Sequence, residues 1–307
     1  MPATDDDTLL PFSLPPLCHK KVSAAFDGGT ISSDGGVFLL AGADKRLGLI
    51  DRLASHIPDS RDPTLISHSI ADILRERVFA IACGYPDGND LDVLRKDPAF
   101  KMACGRLPET GLDMASQPTL SRLENTPDLR DLIRLSWGMV DLWCQSSEKP
   151  PRSITLDIDD TADTVARPPE ATPKGADVRY VVTNIRYRSA KHLYEKIYCA
   201  RGQAENLIKR HKSQLASDRT SCRSPLANQM RLILHTAAYW LMRAVRDAIP
   251  ATEPLASGEF STIRNRLLKV AVRVRETSTR IKLAFAANCP DARLFRTLIA
   301  ALIPRPT

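Results

Sequence analysis

The chain has 307 residues, 43% of them hydrophobic and 26% charged, so it has enough apolar material for one or two domains with a sizeable core. An acidic beginning, and no apolar run near the roughly 18 residues that cross a bilayer, argue against secreted and membrane proteins. Residues 1–150 carry a net charge of −6 and residues 151–307 carry +13. Such asymmetry indicates a polyanion, most often nucleic acid, as partner.

The seven cysteines are widely spaced and odd in number. They form neither a disulfide framework nor the C-x-x-C spacing of a metal site. We therefore expect reduced, mostly buried thiols in a cytosolic protein.

The first half, residues 1–150, is predicted to be mainly helical. Residues 1–22 look like an unanchored arm, and the glycines and serines of residues 26–47 indicate a strand or turn before the first helix. HSIADILRERVFAIAC, residues 68–83, spaces its apolar residues as an amphipathic helix does. A turn at residues 84–89 and a short helix should follow.

Ser116 to Asn125 has a capping serine and a proline in the first turn, which predict one helix or two in succession before a helix at 129–144. A helix-turn-helix that reads DNA is one interpretation of this cluster. Simple helix packing is favoured, because the segment has few basic residues.

The composition changes after a linker at residues 145–152. Residues 153–158 (SITLDI) and 178–185 (VRYVVTNI) predict buried strands, whereas the prolines and glycine of 166–177 should continue neither strand nor helix. A long helix is expected over 189–215.

Four further elements are expected near the end of the chain. Helices are predicted at 224–247 and 259–275, then a strand at 280–285 and a final helix after Pro290. The helix at 259–275 would carry a row of cations: Arg264, Arg266, Lys269, Arg273 and Arg275. After residue 177 the chain has 24 Lys and Arg against 8 Asp and Glu, which predicts a surface that binds phosphate backbones.

One face of the 189–215 helix carries a polar stripe. At 100° per residue its members fall within about 90°. They are Tyr198, Arg201, Glu205, Lys209 and Lys212. Spacing alone favours an ordinary solvated face. A carboxylate that could hold a divalent cation, with cations beside it for phosphates, instead suits phosphoryl transfer on nucleic acid.

The spacing Tyr198-x2-Arg201-x3-Glu205-x6-Lys212 resembles the Y-R-E-K signature of bacterial insertion-sequence transposases of the DDE type. YCARGQAENLIK at 198–209 resembles the C-terminal part of the branch called DDE transposase domain, group 1. FDGGTISSDGGVFLL at 26–40 and ITLDIDDT at 154–161 resemble its N-terminal region and first catalytic strand. The resemblance covers nearly the whole chain.

This resemblance implies an α/β, mainly helical protein, with an N-terminal helical region before an RNase H-like core. In such enzymes three carboxylates bind two Mg²⁺ or Mn²⁺ ions and activate water or a 3′-OH for attack on DNA. Asp159 matches the first aspartate, since D-x-T follows the strand, and Asp157 is the reserve candidate. Glu205 matches the closing glutamate. Asp159 and Glu205 are thus the expected catalytic and metal residues.

The remaining members of the stripe are expected to hold transposon-end DNA. They are Tyr198, Arg201, Lys209 and Lys212. The partners implied are double-stranded DNA and a second subunit, either a second copy or an intact transposase, with residues 1–150 serving DNA-end binding or dimerisation. The expected location is the bacterial cytoplasm, at the nucleoid.

The chain departs from the family between its two expected catalytic residues. Asp159 and Glu205 are only 46 residues apart, which leaves no room for the strands and the second aspartate that the family places there. We therefore expect a truncated core with a central deletion near 166–177, and an inactive protein. Glu170 and Asp177, the carboxylates between residues 164 and 194, are weak substitutes.

Two other classes fit parts of the sequence. Residues 153–161 also fit the D-x-D-x-T strand of haloacid-dehalogenase-like phosphatases, but the later acidic pair that those enzymes need is missing. A non-enzymatic basic DNA-binding protein derived from a transposase fits the C-terminal charge equally well.

Overall fold

The computed structural model describes residues 11–146, 170–172, 175–177, 189–192, 195, 202–219 and 222–303. This part of the chain is mainly helical, with three small antiparallel sheets, which confirms the expected fold class. None of its helices combines the length and the apolar character that crossing a bilayer requires.

Strands and helices alternate irregularly along the chain. The strands are β1 Phe12–Leu17, β2 Lys20–Ala24, β3 Ile31–Ser32, β4 Glu170–Thr172, β5 Gly175–Asp177, β6 Val272–Glu276 and β7 Ile281–Phe285. The first helices are α1 Val37–Leu47, α2 Leu49–Ser55, α3 Ile70–Cys83, α4 Leu91–Leu94, α5 Pro98–Ala103, α6 Gln117–Asn125 and α7 Leu129–Gln145. The later ones are α8 Ala190–His192, α9 Gly202–Leu215, α10 Pro225–Asp247, α11 Phe260–Ile263 and α12 Ala292–Leu302.

Residues 1–22 were predicted to be an unanchored arm, and from Phe12 onward they form a regular hairpin. β1 and β2 pair antiparallel, and the turn places Cys18 and His19 at φ values of 47° and 66°. Two successive left-handed residues are the geometry of tight hairpin turns, usually met by glycine or asparagine, so the sequence carried no turn signal. The hairpin is largely exposed.

The core is built around α3 and α10, the two helices that the apolar periodicity predicted best. A capping box between Ser69 and Asp72 opens α3, and Gly84 ends it at φ 95°. α10 begins after Ser224, whose hydroxyl accepts from the Ala227 amide. α10 packs against α3, α1, α6, α7 and α9, so helices from both halves of the chain share one hydrophobic core.

Residues Ser116 to Asn125 form a single helix. α6 buries Leu120 and Leu123 and packs against α3 and α10. Arg122 is the one cation on it, so the structure gives this helix a packing role and little capacity to bind phosphates.

The helix predicted at 259–275 is wrong in its second half. α11 continues as one π-helical segment, Arg264–Leu268, and ends there. Val272–Glu276 is instead the middle strand of a sheet with order β3–β6–β7. The alternation of valine with arginine has the period of a strand, and pairing on both sides decides the outcome. β7 and α12 confirm the strand and the final helix that were predicted there.

The centre of the chain is described only in part. Residues 166–177 were expected to contain neither strand nor helix, yet β4 and β5 pair as a short hairpin with Thr172 opposite Gly175. The prolines lie outside the paired positions, so they do not prevent it. The strands predicted at 153–158 and 178–185 lie outside the described residues.

A buried ionic cluster joins helices from the two halves. The Glu124 carboxylate on α6 lies 3.3 Å from Arg77 Nε on α3 and 2.7 Å from Arg231 Nε on α10. The side chains of Glu124 and Arg77 are each only 1% exposed. Arg77 also donates to the carbonyls of Tyr85 and Pro86, so most of its hydrogen-bonding capacity is satisfied internally.

Glu76 on α3 is a second buried carboxylate, and none of the described residues places a cation in direct contact with it. The Ala115 amide donates to its Oε2 at 2.9 Å, and within the described ranges its Oε1 has no hydrogen-bond partner. Burial raises the pKa of Glu76 from 4.5 to about 8. Between those values the folded chain holds a proton that the unfolded chain releases, so the free energy of unfolding falls as pH rises.

We predict that Glu76→Gln weakens this pH dependence. Glutamine keeps an acceptor for the Ala115 amide but does not titrate, so its advantage over the wild type should grow by up to about 1.4 kcal/mol per pH unit between pH 5 and 8. Urea unfolding at several pH values measures this difference. Glu253→Gln, at an exposed site, is the control. Equal pH profiles for wild type and Glu76→Gln would contradict the prediction.

Candidate nucleic-acid interface

The described structure brings three members of the predicted polar stripe onto one helix. Glu205, Lys209 and Lys212 all lie in α9, and the side chains of both lysines are exposed. The helix confirms the predicted secondary structure of this segment; the roles of these residues stay predictions. Tyr198 and Arg201 lie outside the described residues, as do the side-chain contacts of Glu205.

Of the predicted carboxylate pair, only Glu205 lies among the described residues. Asp159 and the reserve candidate Asp157 lie outside the described residues, so the distance from Asp159 to Glu205 is still a prediction. Glu170 and Asp177 face each other in the backbone register of the β4–β5 hairpin. Over the described ranges, no group of three His, Cys, Asp or Glu residues could hold a metal ion.

α9 is held to the core by its other side. Arg210 Nη2 lies 3.0 Å from Glu259 Oε1, and Gln214 donates to the same carboxylate. His211 contacts the hydroxyl of Ser217 at 2.6 Å and that of Thr236 at 3.2 Å, and burial lowers its pKa. The imidazole is therefore neutral near pH 7, and the positive charge of this segment is carried by its arginine and lysines.

Two apolar residues beside the polar stripe of α9 differ in burial. Leu215 is 2% exposed and belongs to the core, whereas Ile208 is 50% exposed. Of these two, only the residue at the C-terminal end of α9 meets the core. Lys209 and Lys212 stand on a helix that is fixed at one end and open to solvent along its outer side.

A second cationic surface lies on the β6–β7 hairpin. Arg273 and Arg275 of β6 point to the solvent side of the sheet, while Val272 and Val274 are buried on the other side. Arg275 pairs in register with Lys282 of β7. We call the four cations Arg273, Arg275, Lys282 and Arg280, the last of which lies in the turn, the basic ribbon. All four are exposed, and among the described residues no carboxylate pairs with them.

Three of the five cations that were predicted to form a row on one helix bind other groups of the chain instead. They are Arg264, Arg266 and Lys269. Arg264 donates to the carbonyls of Ala82 and Gln214. Arg266 pairs with Asp291, through both Nε and Nη2. The prediction of a row of five cations on one helix is therefore wrong, because the chain changes from helix to strand between the third and the fourth of these cations.

Lys269 belongs to a buried cluster at the junction of the two halves. Its Nζ lies 2.7 Å from Asp34 Oδ1 and 3.8 Å from the centroid of the Tyr85 ring. The Tyr85 hydroxyl donates to Asp34 Oδ2 at 2.8 Å, and the aspartate side chain is 1% exposed. Burial lowers the pKa of Lys269, but the bonds to Asp34 and Tyr85 outweigh it and raise that pKa overall.

The cysteines are free thiols wherever the structure describes them. Cys83 and Cys104 are buried, whereas Cys18 and Cys144 are exposed and Cys222 and Cys289 are half-buried. The expectation of reduced thiols holds for these six, but the expectation that most are buried is wrong. Short exposed segments, a hairpin turn and the end of α7, carry the two exposed ones.

Comparison with known proteins identifies the family. A model described as Transposase DDE domain group 1 matches residues 14–167 and 164–307, which together span nearly the whole chain. The chain belongs to this family of DDE transposase domains. The resemblance drawn from the Y-R-E-K spacing is thereby confirmed, and the phosphatase interpretation has no support. No curated protein and no solved structure matches the sequence.

We predict that internal and surface cations differ sharply in their effect on stability. Lys269→Met leaves the buried Asp34 carboxylate without its cation and should lower the free energy of unfolding by about 3 kcal/mol. Arg275→Met on the basic ribbon should change it by less than about 0.5 kcal/mol. Urea unfolding at neutral pH measures both. Comparable losses would mean that the ribbon, too, is part of the core.

Proposed function

We propose that the chain is a DNA-binding protein of the transposase family that does not itself catalyse transposition. The supporting observation is that the family match falls into two segments, which meet at residues 164–167. That junction lies between Asp159 and Glu205, where the sequence is too short for the family's second aspartate. A chain that joins the two ends of the domain without its centre would match in this way.

Loss of the central segment removes a carboxylate that the reaction requires. Two-metal phosphoryl transfer needs carboxylates that hold both ions about 3.5–4 Å apart and in line with the attacking and leaving oxygens. Asp159 and Glu205 are the two members of the set that the sequence retains. They are candidates to hold Mg²⁺ or Mn²⁺, but two carboxylates leave one ion without its bridging ligand.

DNA binding is expected to survive this loss, since it depends on surface charge. The basic ribbon presents four exposed cations on one hairpin, and α9 presents Lys209 and Lys212. Such side chains neutralise phosphates and release counterions without reading base sequence. We propose double-stranded DNA, in the cell the ends of the parent element, as the ligand, with a second copy or an intact transposase as the protein partner.

The basic ribbon offers a direct test. Changing Arg273, Arg275 and Lys282 to glutamine should weaken binding to a duplex fragment and reduce the slope of log affinity against log salt. If each cation contacts one phosphate, the slope falls by about 2.7 in total, which is about 0.9 for each contact. Fluorescence anisotropy over a salt series measures both quantities.

A control variant with the same change in net charge isolates the surface from the overall charge. It changes Lys45, Lys96 and Arg122 to glutamine, three exposed cations of the N-terminal half. Its affinity and salt slope should stay close to those of the wild type. Equal losses in the two variants, or wild-type binding that does not respond to salt, would refute the proposed interface.

The absence of catalysis is tested separately. Purified protein is incubated with a fragment that carries the ends of its element, in Mg²⁺ and in Mn²⁺, and the strands are resolved on a denaturing gel. We expect no cleavage at the ends. End-specific nicking that disappears in Asp159→Ala or Glu205→Ala would overturn this prediction and imply that another carboxylate completes the site.

A further inference from the structure

Helix α7 has two apolar faces, of which only one meets the core. The inner face buries Leu132, Leu135, Met139 and Leu142. The outer face carries large apolar side chains that are 45–62% exposed: Leu129, Ile133, Trp137 and Val140. An amphipathic helix at a protein surface ordinarily places polar residues there, so this outer face requires an explanation.

The exposed residues form one continuous stripe. At 100° per residue, counted from the first of them, they and Cys144 fall within about 80° of one another. The stripe runs over about 22 Å of the helix axis. Single exposed apolar residues are common, whereas a continuous patch of this length marks an interaction surface. Two of the three tryptophans of the chain lie on α7, Trp137 on the stripe and Trp143 beside it.

Charges on one flank of the stripe indicate what binds there. Arg130 and Arg134 lie toward the N-terminal end of α7 and Asp141 toward the C-terminal end, all at 100–140° on the same scale. All three are exposed; Arg134 Nη1 lies 3.1 Å from Asp131 Oδ1 on the same helix, whereas in the described part of the chain Asp141 has no partner. In two identical antiparallel helices, such flanks lie on the same side of the interface and run in opposite directions. Opposite charges then face each other.

We propose that two copies of the chain associate through the outer faces of α7, antiparallel about a two-fold axis near Trp137. In this register Leu129 lies opposite Cys144 of the partner subunit, and Ile133 opposite Val140 of the partner subunit. Asp141 of the partner subunit falls between Arg130 and Arg134, within about 3 Å of each along the axis. A parallel pair would bring opposite flanks together and leave Asp141 without a facing arginine.

This proposal rests on the self-association proposed above and assigns a surface to it. It assigns no surface to DNA binding. An interface of one helix pair lies at the small end of the range for stable complexes, near 1,000–1,200 Å². We therefore expect a dimerisation Kd on the order of micromolar. All measurements are made without DNA, so their failure would leave the proposed DNA binding untouched.

Sedimentation velocity of the full chain over a concentration series tests the interface. The wild type should shift from monomer to dimer, and Trp137→Glu should raise the dimer Kd by about thirtyfold or more. Val93→Glu, at an apolar site on α4 that is 78% exposed, is the matched control and should dimerise normally. A wild type that stays monomeric, or a dimer that Trp137→Glu does not weaken, overturns the proposal.

The same variant distinguishes a different occupant of the stripe. If residues 147–188 of the same chain cover it, the wild type is monomeric and Trp137→Glu lowers the melting temperature, which Val93→Glu does not. That pair of results refutes the dimer. An unchanged melting temperature together with loss of the dimer supports it.

Cross-linking tests the antiparallel register. Leu129→Cys is made in a Cys18→Ser background, and a short bismaleimide reagent joins exposed thiols. Antiparallel association predicts covalent dimers in which peptide mapping finds residue 129 joined to Cys144. Dimers joined mainly through Cys144 to Cys144 indicate a parallel pair and refute the register.

Discussion

One buried carboxylate links helices from the two halves of this protein. Glu124 lies between the guanidinium groups of Arg77 and Arg231, and these three residues come from α6, α3 and α10. A charge that is 1% exposed is tolerated only when its partners are in place, so the three helices must adopt one arrangement together. Because α10 also carries α9 on its other side, this arrangement fixes the helix that presents Lys209 and Lys212.

Much of the helical framework follows from the sequence. The sequence predicted α3 and α10 to within two residues, and the structure shows that a serine cap opens each of them. The end of the helix at 259–275 did not follow. Its residues satisfy a helical period up to Leu268 and a strand period from Val272, and pairing with β3 and β7, remote in sequence, decides between them.

The sequence predicted which kinds of residue form the candidate site, but not how these residues are arranged in space. Charge counting located the basic half, but it does not distinguish a cation that faces solvent from one with an internal partner. Lys269 and Arg264 are of the second kind, since their partners Asp34 and Ala82 lie far earlier in the chain. The family could be recognised from the sequence because its signature is local: it is a spacing of residues within one helix. The absence of the second aspartate stays a prediction, drawn from the short chain between Asp159 and Glu205.

The pairing of Ile31 with Arg273 spans 242 residues, almost the entire length of the chain. During synthesis the ribosome must therefore release nearly all of the protein before β3 can meet its neighbour. Until α10 emerges, the face of α3 that packs against α10 stays uncovered, and loop closure over such a distance is slow. A product cut short before β6 would leave β3 without the strand it pairs with.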